Sequence, residues 1–442
     1  MMALVPAHID NHSARPVAYV NARLFDPSSS LNETGGLLID RGVISDIGTG
    51  VTAARSPDTE IVDCQGHLLI PGLIDMQVFS GEPGFEHLET LRSASAAAAS
   101  GGVSTIVCKP NTQPVVDDVA IVDFLERRAR DTALVNVHTM AALTKNLDGC
   151  EMTEMGLLKA AGAVAFSDGP FSIKSASIFR RLLSYANDFD ALVIHHVEDA
   201  DLAANGVMHD SEAAMRLGLP GICDAAEVIV LERDIRLVEL TGAKYHAAQI
   251  SCAKSVEVMR AAKSRGLPVT CGVSANHLVL NEHDVGTYRT FFKLSPPLRS
   301  EDDRQALVAG LDDGTIDVIV SNHVPQDIDG KRRPFTEAAF GAVGLETLLP
   351  ASLILYHEGD VKLDRIISAL SCTPARLLGL DSGRLEIGAP ADFVTVDLGM
   401  PWVLEVEKLK SKCQNTAFED RKLQGHVMKT VVAGRCIHHF EP

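Results

Sequence analysis

The sequence predicts an α/β fold: a (β/α)8 barrel of the TIM type with a small β-sandwich domain that both chain ends build together. Three observations carry that expectation. From about residue 70 to 325 one rhythm repeats: an apolar strand-like run, a polar break, then a helix-like segment. The strand-like runs are apolar almost throughout, as strands are in a parallel sheet buried on both faces. The stretches before and after are rich in short strand patterns and poor in helical ones.

Residues 1–14 show no basic region followed by an apolar core and are expected to form a disordered leader. Residues 15–70 hold VAYVNARLFDP, GGLLIDRGVISDIG and TEIVDCQGHLLI, short strands separated by Gly and Asn/Asp turns. The barrel is expected over 71–374, with strands in LIDMQVF, STIVC, LVNVHTM, AVAFSD, LVIHHVE, YHAAQIS, VTCGVS and VIVSNH. Helical patterns such as EHLETLRSASAAAAS (86–100) and DDRQALVAGLDDG (302–314) lie between them. Eight such units over roughly 250 residues favour a closed barrel over an open doubly wound sheet. Residues 375–442 return to strand character in GRLEIGAPADFVTVDL and KTVVAGRCIHHF. No helix follows the glycines of SGRLEIGAPADFVTVD, so that run reads as scaffold and not as a nucleotide-binding loop.

The chain has 442 residues, 46% of them hydrophobic, enough for a large core. A net charge of −18 argues against nucleic acid or an anionic membrane as a partner. No apolar run approaches membrane-spanning length, and a cytoplasmic protein is expected. The nine cysteines are scattered and never form Cys-x-x-Cys, which points to reduced, mostly buried thiols and not to a disulfide scaffold or zinc ribbon.

Chemistry in this fold comes from the C-terminal ends of the strands. Those ends supply Gln77, Phe79, Asn111, His138, Asp168, His196, Gln249, His277 and Asn322. Alternate residues of a strand share a face, so Gln77 and Phe79 project together. As a zinc site the set is poor, because zinc takes Cys, His, Asp or Glu and a phenyl ring offers it nothing. His195 is expected on the outer face of its strand under a helix, His323 pointing away from Asn322, and Lys174 in a solvated loop. A rearranged metal site from Asp168, His196 and His323 is the alternative.

Four stretches carry a family resemblance: GEPGFEHLETLRSASAAAASGGVSTIVCKPNTQPVVD (81–117), RLGLPG (216–221), SPPLRSEDDRQALVAGLDDGTIDVIVSNHVP (295–325) and FGAVGLET (340–347). From about residue 15 to 440 the chain resembles the dihydroorotases of the amidohydrolase superfamily, cyclic amidohydrolases of pyrimidine synthesis. The closer likeness is to the bacterial type that associates with aspartate transcarbamoylase. Active relatives read Asp-x-His-x-His-x-Arg where this chain reads Asp75-Met76-Gln77-Val78-Phe79-Ser80-Gly81. The resemblance thus implies that Gln77 and Phe79 replace two histidine ligands and Gly81 replaces the arginine that pairs with the substrate carboxylate. The family's Asp-Asp-Gly becomes Asp168-Gly169-Pro170, so the bridging carboxylate is either Asp168 or lost at Gly169. His196 keeps the fifth-strand ligand, and Gln249 stands for the sixth-strand histidine. Asn322 replaces the aspartate that is both ligand and general base. Gln326 replaces a substrate-touching histidine and Ser295 a substrate-facing asparagine, while Asn111 is kept.

Hydrolysis of a cyclic amide needs a metal-activated water, a base and an anchor for the substrate carboxylate. Gln77, Phe79 and Gln249 remove the first, Asn322 removes the second, and Gly81 and Gln326 weaken the third. The resemblance therefore implies an inactive homologue without zinc, Phe79 filling the vacated space. It also implies a structural role beside the aspartate transcarbamoylase catalytic subunit, as a homodimer within a larger assembly. The alternative is an active cyclic amidohydrolase, dihydroorotase-like or hydantoinase-like, with an altered metal site.

Overall fold

The computed structural model describes residues 15–51 and 58–441, and the leader expected at 1–14 lies outside them. Five strands open the chain: β1 (Val17–Asp26), β2 (Leu31–Asp40), β3 (Val43–Gly48), β4 (Glu60–Asp63) and β5 (Leu68–Pro71). Only Gly72 separates β5 from the first barrel strand, β6 (Leu73–Val78). The barrel continues through β7 (Val103–Cys108), β8 (Asn136–Ala141), β9 (Ala165–Phe166) and β10 (Val193–His195). A separate ribbon of β11 (Met208–His209) and β12 (Gly221–Ile222) precedes β13 (Tyr245–Ala247), β14 (Val269–Ser274) and β15 (Val318–Val320). The chain closes with β16 (Phe393–Val403), β17 (Lys422–Val432) and β18 (Arg435–His439).

The eight strands from β6 to β15, the ribbon excepted, pair in sequence order into a parallel sheet. A bridge between Val78 and His323, with the Phe79 N–H donating to the His323 carbonyl at 3.0 Å, joins the first strand to the last. Each of the eight barrel strands predicted from the sequence is present, whereas the GRLEIG part of the C-terminal stretch is turn and loop, strand starting only at Phe393. β9, β10, β13 and β15 are only two or three residues long, because their polar tails leave the ladder at the mouth. Ile74, Met76, Val107, Ile194, Ala248 and Val320 pack together inside the ring. Leu73, Ile106, Cys108 and Val193 face outward into the helical layer. The floor is plugged by the helix Thr373–Leu378, which spans the expected boundary at residue 375 and packs Ala375 and Leu378 into the barrel interior.

Helix starts follow local chemistry. Leu91–Ser100 begins where the Thr90 hydroxyl accepts from the Ser93 N–H and Ser93 returns the bond to the Thr90 N–H, so residues 86–89 of the expected helix stay outside it. Ser300 and Asp303 form the same reciprocal cap on Glu301–Asp312.

Both chain ends meet in one sheet of order β18-β17-β16-β5-β1-β2-β3, with β4 beside β1. The junction is antiparallel, Phe393–Val396 running against Leu68–Pro71. Each half alone would leave an unpaired edge there, and pairing them satisfies both rows of backbone groups. Tyr19 and Phe393 meet edge to face at 4.8 Å in the core of this sheet, among Leu24, Leu37, Ile44 and Val431. All nine cysteines are free thiols; Cys64, Cys108, Cys252, Cys271 and Cys413 are buried, whereas Cys150 and Cys436 are exposed. No helix among the described residues is long and apolar enough to cross a membrane.

Candidate functional site

The mouth is built first by the strand that carries Gln77 and Phe79. Asp75 beneath them is fully buried and accepts from the Ser321 hydroxyl and, at 3.1 Å, from the Gln77 N–H. Burial pushes its carboxyl above the usual carboxylate range, against the pull of those donors. Gln77 then reaches across the barrel and donates through Nε2 to the Ala248 carbonyl at 2.5 Å. Its amide ties the first strand to the sixth. Phe79 is 6% exposed, with its ring centroid 5.8 Å from that of Phe85. The position expected to carry a histidine is thus closed by two aromatic rings.

Gly81 sits in the left-handed region at φ +69, and a Cβ there would lie 2.4 Å from the Glu89 carbonyl oxygen. Glu89 cannot give way cheaply. Its buried carboxylate accepts from the Ser411 hydroxyl and, at 3.2 Å, from the Lys412 N–H, and it lies 3.4 Å from His323 Nε2. No side chain fits at position 81 in this loop, an arginine included.

Asp168 is buried and directed at its neighbours. Its Oδ1 accepts from the Leu143 and Thr144 N–H groups at 2.9 Å each, and its Oδ2 from the Thr144 hydroxyl. Burial raises its pKa, and the Thr144 and Leu143 donors work against that rise. The carboxylate that the sequence offered as a ligand is a clamp on the chain after β8. Gly169 is the position that faces the mouth, since a Cβ there would lie 3.1 Å from Asn111 Oδ1. Of the two readings of Asp168-Gly169, the geometry fits loss of the bridging carboxylate at Gly169.

Among the described residues, buried polar atoms without a hydrogen-bond partner at the mouth include Asn111 Oδ1, His196 Nε2, Gln249 Oε1 and His277 Nδ1. His196 Nε2 lies 3.6 Å from Glu198 Oε1. Burial works to raise the Glu198 carboxyl, but His196 and Arg299 outweigh it and hold it below the usual range. His277 is buried against the Pro296 and Pro297 carbonyls, 3.1 and 3.2 Å from Nε2, and burial lowers its pKa to about 4. Asn322 adopts φ +51 and donates through Nδ2 to the Ser295 carbonyl at 3.2 Å. An amide in this place has no useful proton affinity. Gln326 is half-buried, and its N–H donates to Asn415 Oδ1 at 3.1 Å.

The remaining candidates lie elsewhere. His195 stacks on Phe179 at 4.4 Å and bonds Asp234 Oδ2 at 2.6 Å under the helix Ala225–Thr241, as expected. His323 faces outward, where its Nδ1 accepts from the Gly344 N–H at 3.2 Å. Lys174 pairs with Asp201 at 3.1 Å on the surface. His138 belongs to the opposite end of the barrel, where it lines a cavity beside the strand starts.

Lys109 escaped the sequence reading. Its N–H donates to the Val78 carbonyl at 2.9 Å, so the ladder runs one residue past Cys108. That places Lys109 on the face of Val107, inside the ring. Burial lowers its pKa to about 8, with Asp75 working the other way. The alternation Val107, Lys109 was the signal that could have revealed it.

The zinc of the active relatives does not fit this donor set. Gln77, Asp168 and Asn322 are engaged elsewhere, Phe79 offers no donor and Gly81 no side chain. No group of three or more His, Cys, Asp or Glu among the described residues is placed to hold a metal ion. A joint site from Asp168, His196 and His323 is likewise not assembled, because Asp168 and His323 turn to other partners.

Comparison with known proteins supplies the context. The sequence profile of the family described as Dihydro-orotase-like matches residues 66–255. The dihydroorotase of Anaplasma phagocytophilum (strain HZ) is 42% identical over 429 residues, 96% of each chain. That of Pelobacter propionicus (strain DSM 2379 / NBRC 103807 / OttBd1) is 41% identical over 418 residues, covering 95% of this chain and 98% of the other. Among solved structures, the L-hydantoinase (dihydropyrimidinase) from Arthrobacter aurescens superposes with a TM-score of 0.86 at 22% identity over 96% of each chain. The dihydropyrimidinase from Brevibacillus agri NCHU1002 gives 0.82 at 22% identity, over 96% of this chain and 95% of that one. At these identities the two structures speak for the fold alone.

Proposed function

The chain belongs to the dihydroorotase-like family, and from that premise we propose that it uses the family's barrel as a scaffold and does not hydrolyse a cyclic amide. The observation that carries the reading is the donor set at the mouth, where amides, a phenyl ring and a glycine stand at the ligand, base and anchor positions. A metal would supply an activated water at neutral pH. What these residues themselves do is different: Gln77 staples two strands, Phe79 excludes water and Asn322 holds the Ser295 carbonyl. None of them can take a proton from a nucleophile.

The partner in this reading is the aspartate transcarbamoylase catalytic subunit, with the chain as a cytoplasmic homodimer that links catalytic trimers. What supports it is the motif resemblance to the type that makes such assemblies. Mixing the two purified proteins and measuring mass by light scattering tests it. Separate elution at micromolar concentration, with transcarbamoylase activity unchanged, would remove the partner.

A second reading has its own support. The relatives at about 40% identity over nearly the whole chain bear the name dihydroorotase, which favours a cyclic amidohydrolase working through an altered site. His196 and Glu198, 3.6 Å apart, would be its acid–base pair. Assays of dihydroorotate hydrolysis and carbamoyl aspartate cyclisation, on protein incubated with zinc, separate the two. Turnover above a blank that His196→Ala abolishes would establish the second reading and end the first.

A further inference from the structure

A cavity of about 950 Å³ opens at the end of the barrel opposite the mouth, at the starts of the strands. Its inner wall is Thr105, Asn136 and His138 from β7 and β8, with Val164 and Leu377 as apolar neighbours. Active sites of this fold lie at the other end, so the cavity is not part of the site described above. Its size is that of a pocket for a small molecule.

The charge around it is uneven. Arginines enter from three separate elements: Arg41 from the turn between β2 and β3, Arg130 from the helix Val119–Thr132, and Arg376 from the helix that plugs the floor. Four acids also line the cavity, but three are engaged. Asp190 pairs with Lys244 at 2.6 Å, and Asp381 pairs with Arg384. Asp392 is buried and accepts from Asn136 Nδ2 at 2.8 Å and the Ala433 N–H at 2.7 Å. Glu126 also lines the cavity and has no ion pair or side-chain hydrogen bond among the described residues. Among the described residues, the Arg41 and Arg130 side chains pair only with the carboxylates next to them in sequence, Asp40 at 3.4 Å and Asp131 at 3.1 Å. The Arg376 side chain has no ion pair or hydrogen bond among the described residues; its carbonyl accepts from the Gly379 N–H at 3.3 Å.

We propose that this cavity binds a phosphorylated small molecule of about nucleotide size, its phosphate held by Arg41, Arg130 and Arg376 and its organic body lying on Val164, Leu377 and His138. Guanidinium forks match phosphate oxygens in pairs, which lysines do not. A chain of net charge −18 repels anions at long range, so arginines lining one concavity select by contact and not by steering. His138, neutral because burial holds its pKa near 4, adds a polar edge without charge. Away from the mouth, such a ligand would act on the assembly or on the junction between sheet and barrel. The site stands whether or not the mouth is catalytic.

Titration calorimetry of the full chain with AMP, inorganic phosphate and adenosine tests it at physiological salt. AMP should bind saturably with a Kd below about 1 mM, inorganic phosphate at least tenfold more weakly, and adenosine not measurably. Arg130→Gln and Arg376→Gln should each weaken AMP at least tenfold, while Arg333→Gln on a distant surface should not. Unchanged circular dichroism melts show that the variants fold. Absence of saturable AMP binding, or equal binding by the double Arg130→Gln/Arg376→Gln variant, would overturn the site. Equal affinity for AMP and inorganic phosphate would overturn the part played by the apolar wall.

Discussion

Restoring a side chain at Gly81 should fail for a reason that can be measured. The control is Gly66→Ala, because Gly66 also has positive φ, +80, yet a Cβ there meets nothing within 4 Å. That variant should cost only the left-handed backbone penalty, about 1 kcal/mol. At Gly81 the same penalty applies, and the new Cβ also lies 2.4 Å from the carbonyl oxygen of Glu89, a residue anchored by Ser411, Lys412 and His323. Overpacking against fixed backbone adds about 1–3 kcal/mol, so Gly81→Ala should cost about 2–4 kcal/mol in all. Urea unfolding of both variants, followed by far-ultraviolet circular dichroism and by the fluorescence of the single tryptophan, Trp402, gives the comparison. Two probes are needed because sheet and barrel can unfold separately. If the two variants differed by less than about 0.5 kcal/mol, the loop would be shown to relax. An arginine at position 81 could then regain the substrate carboxylate, and the loss of the anchor would be reversible.

Gln77→Ala should cost about 1–3 kcal/mol, by leaving the Ala248 carbonyl unpaired in the barrel interior, and urea denaturation reads it directly. Lys109→Met should stabilise the fold by on the order of 1–3 kcal/mol at pH 7. The sign follows from a folded pKa of about 8, below the usual lysine value of about 10.5. The cost of the buried charge is full below pH 8 and fades as pH rises towards 10.5, so the gain should shrink over that window in unfolding curves taken at several pH values. Elemental analysis of protein expressed with zinc should find well under one ion per chain; a stoichiometric ion lost on His196→Ala would contradict the reading of the donor set. Asn322→Asp alone should restore no turnover in a dihydroorotate assay, because base, metal and anchor act as a unit.

The barrel was legible because its strands are apolar runs set apart by helical patterns, a signal that needs no tertiary information. The short lengths of β9, β10, β13 and β15 were not, since leaving the ladder early depends on partners across the mouth. The pairing of the chain ends could be inferred from two β-rich stretches with no other sheet to join. The site was half legible. Gln77, Phe79, Gln249 and Asn322 announced themselves by chemistry, as amides and a ring at strand ends. Asp168 misled, because its partners Leu143 and Thr144 follow a different strand and no local pattern marks them. Lys109 was hidden by the end of the apolar run at Cys108, although its backbone stays in the ladder.

The joining of the two chain ends also has a consequence for synthesis on the ribosome. β5 is made early, but the segment that pairs with its free side, Phe393–Val396, follows about 320 residues later. At about 5–20 residues per second, that edge waits roughly 15–65 s before its partner emerges. For that time Leu68, Leu69 and Ile70 form an apolar strand with one row of backbone groups open to any other nascent chain. A premature stop before residue 393 would therefore yield more than a shortened protein. It would leave the edge open permanently, and such fragments should partition into the insoluble fraction of a cell even where the barrel sequence is complete.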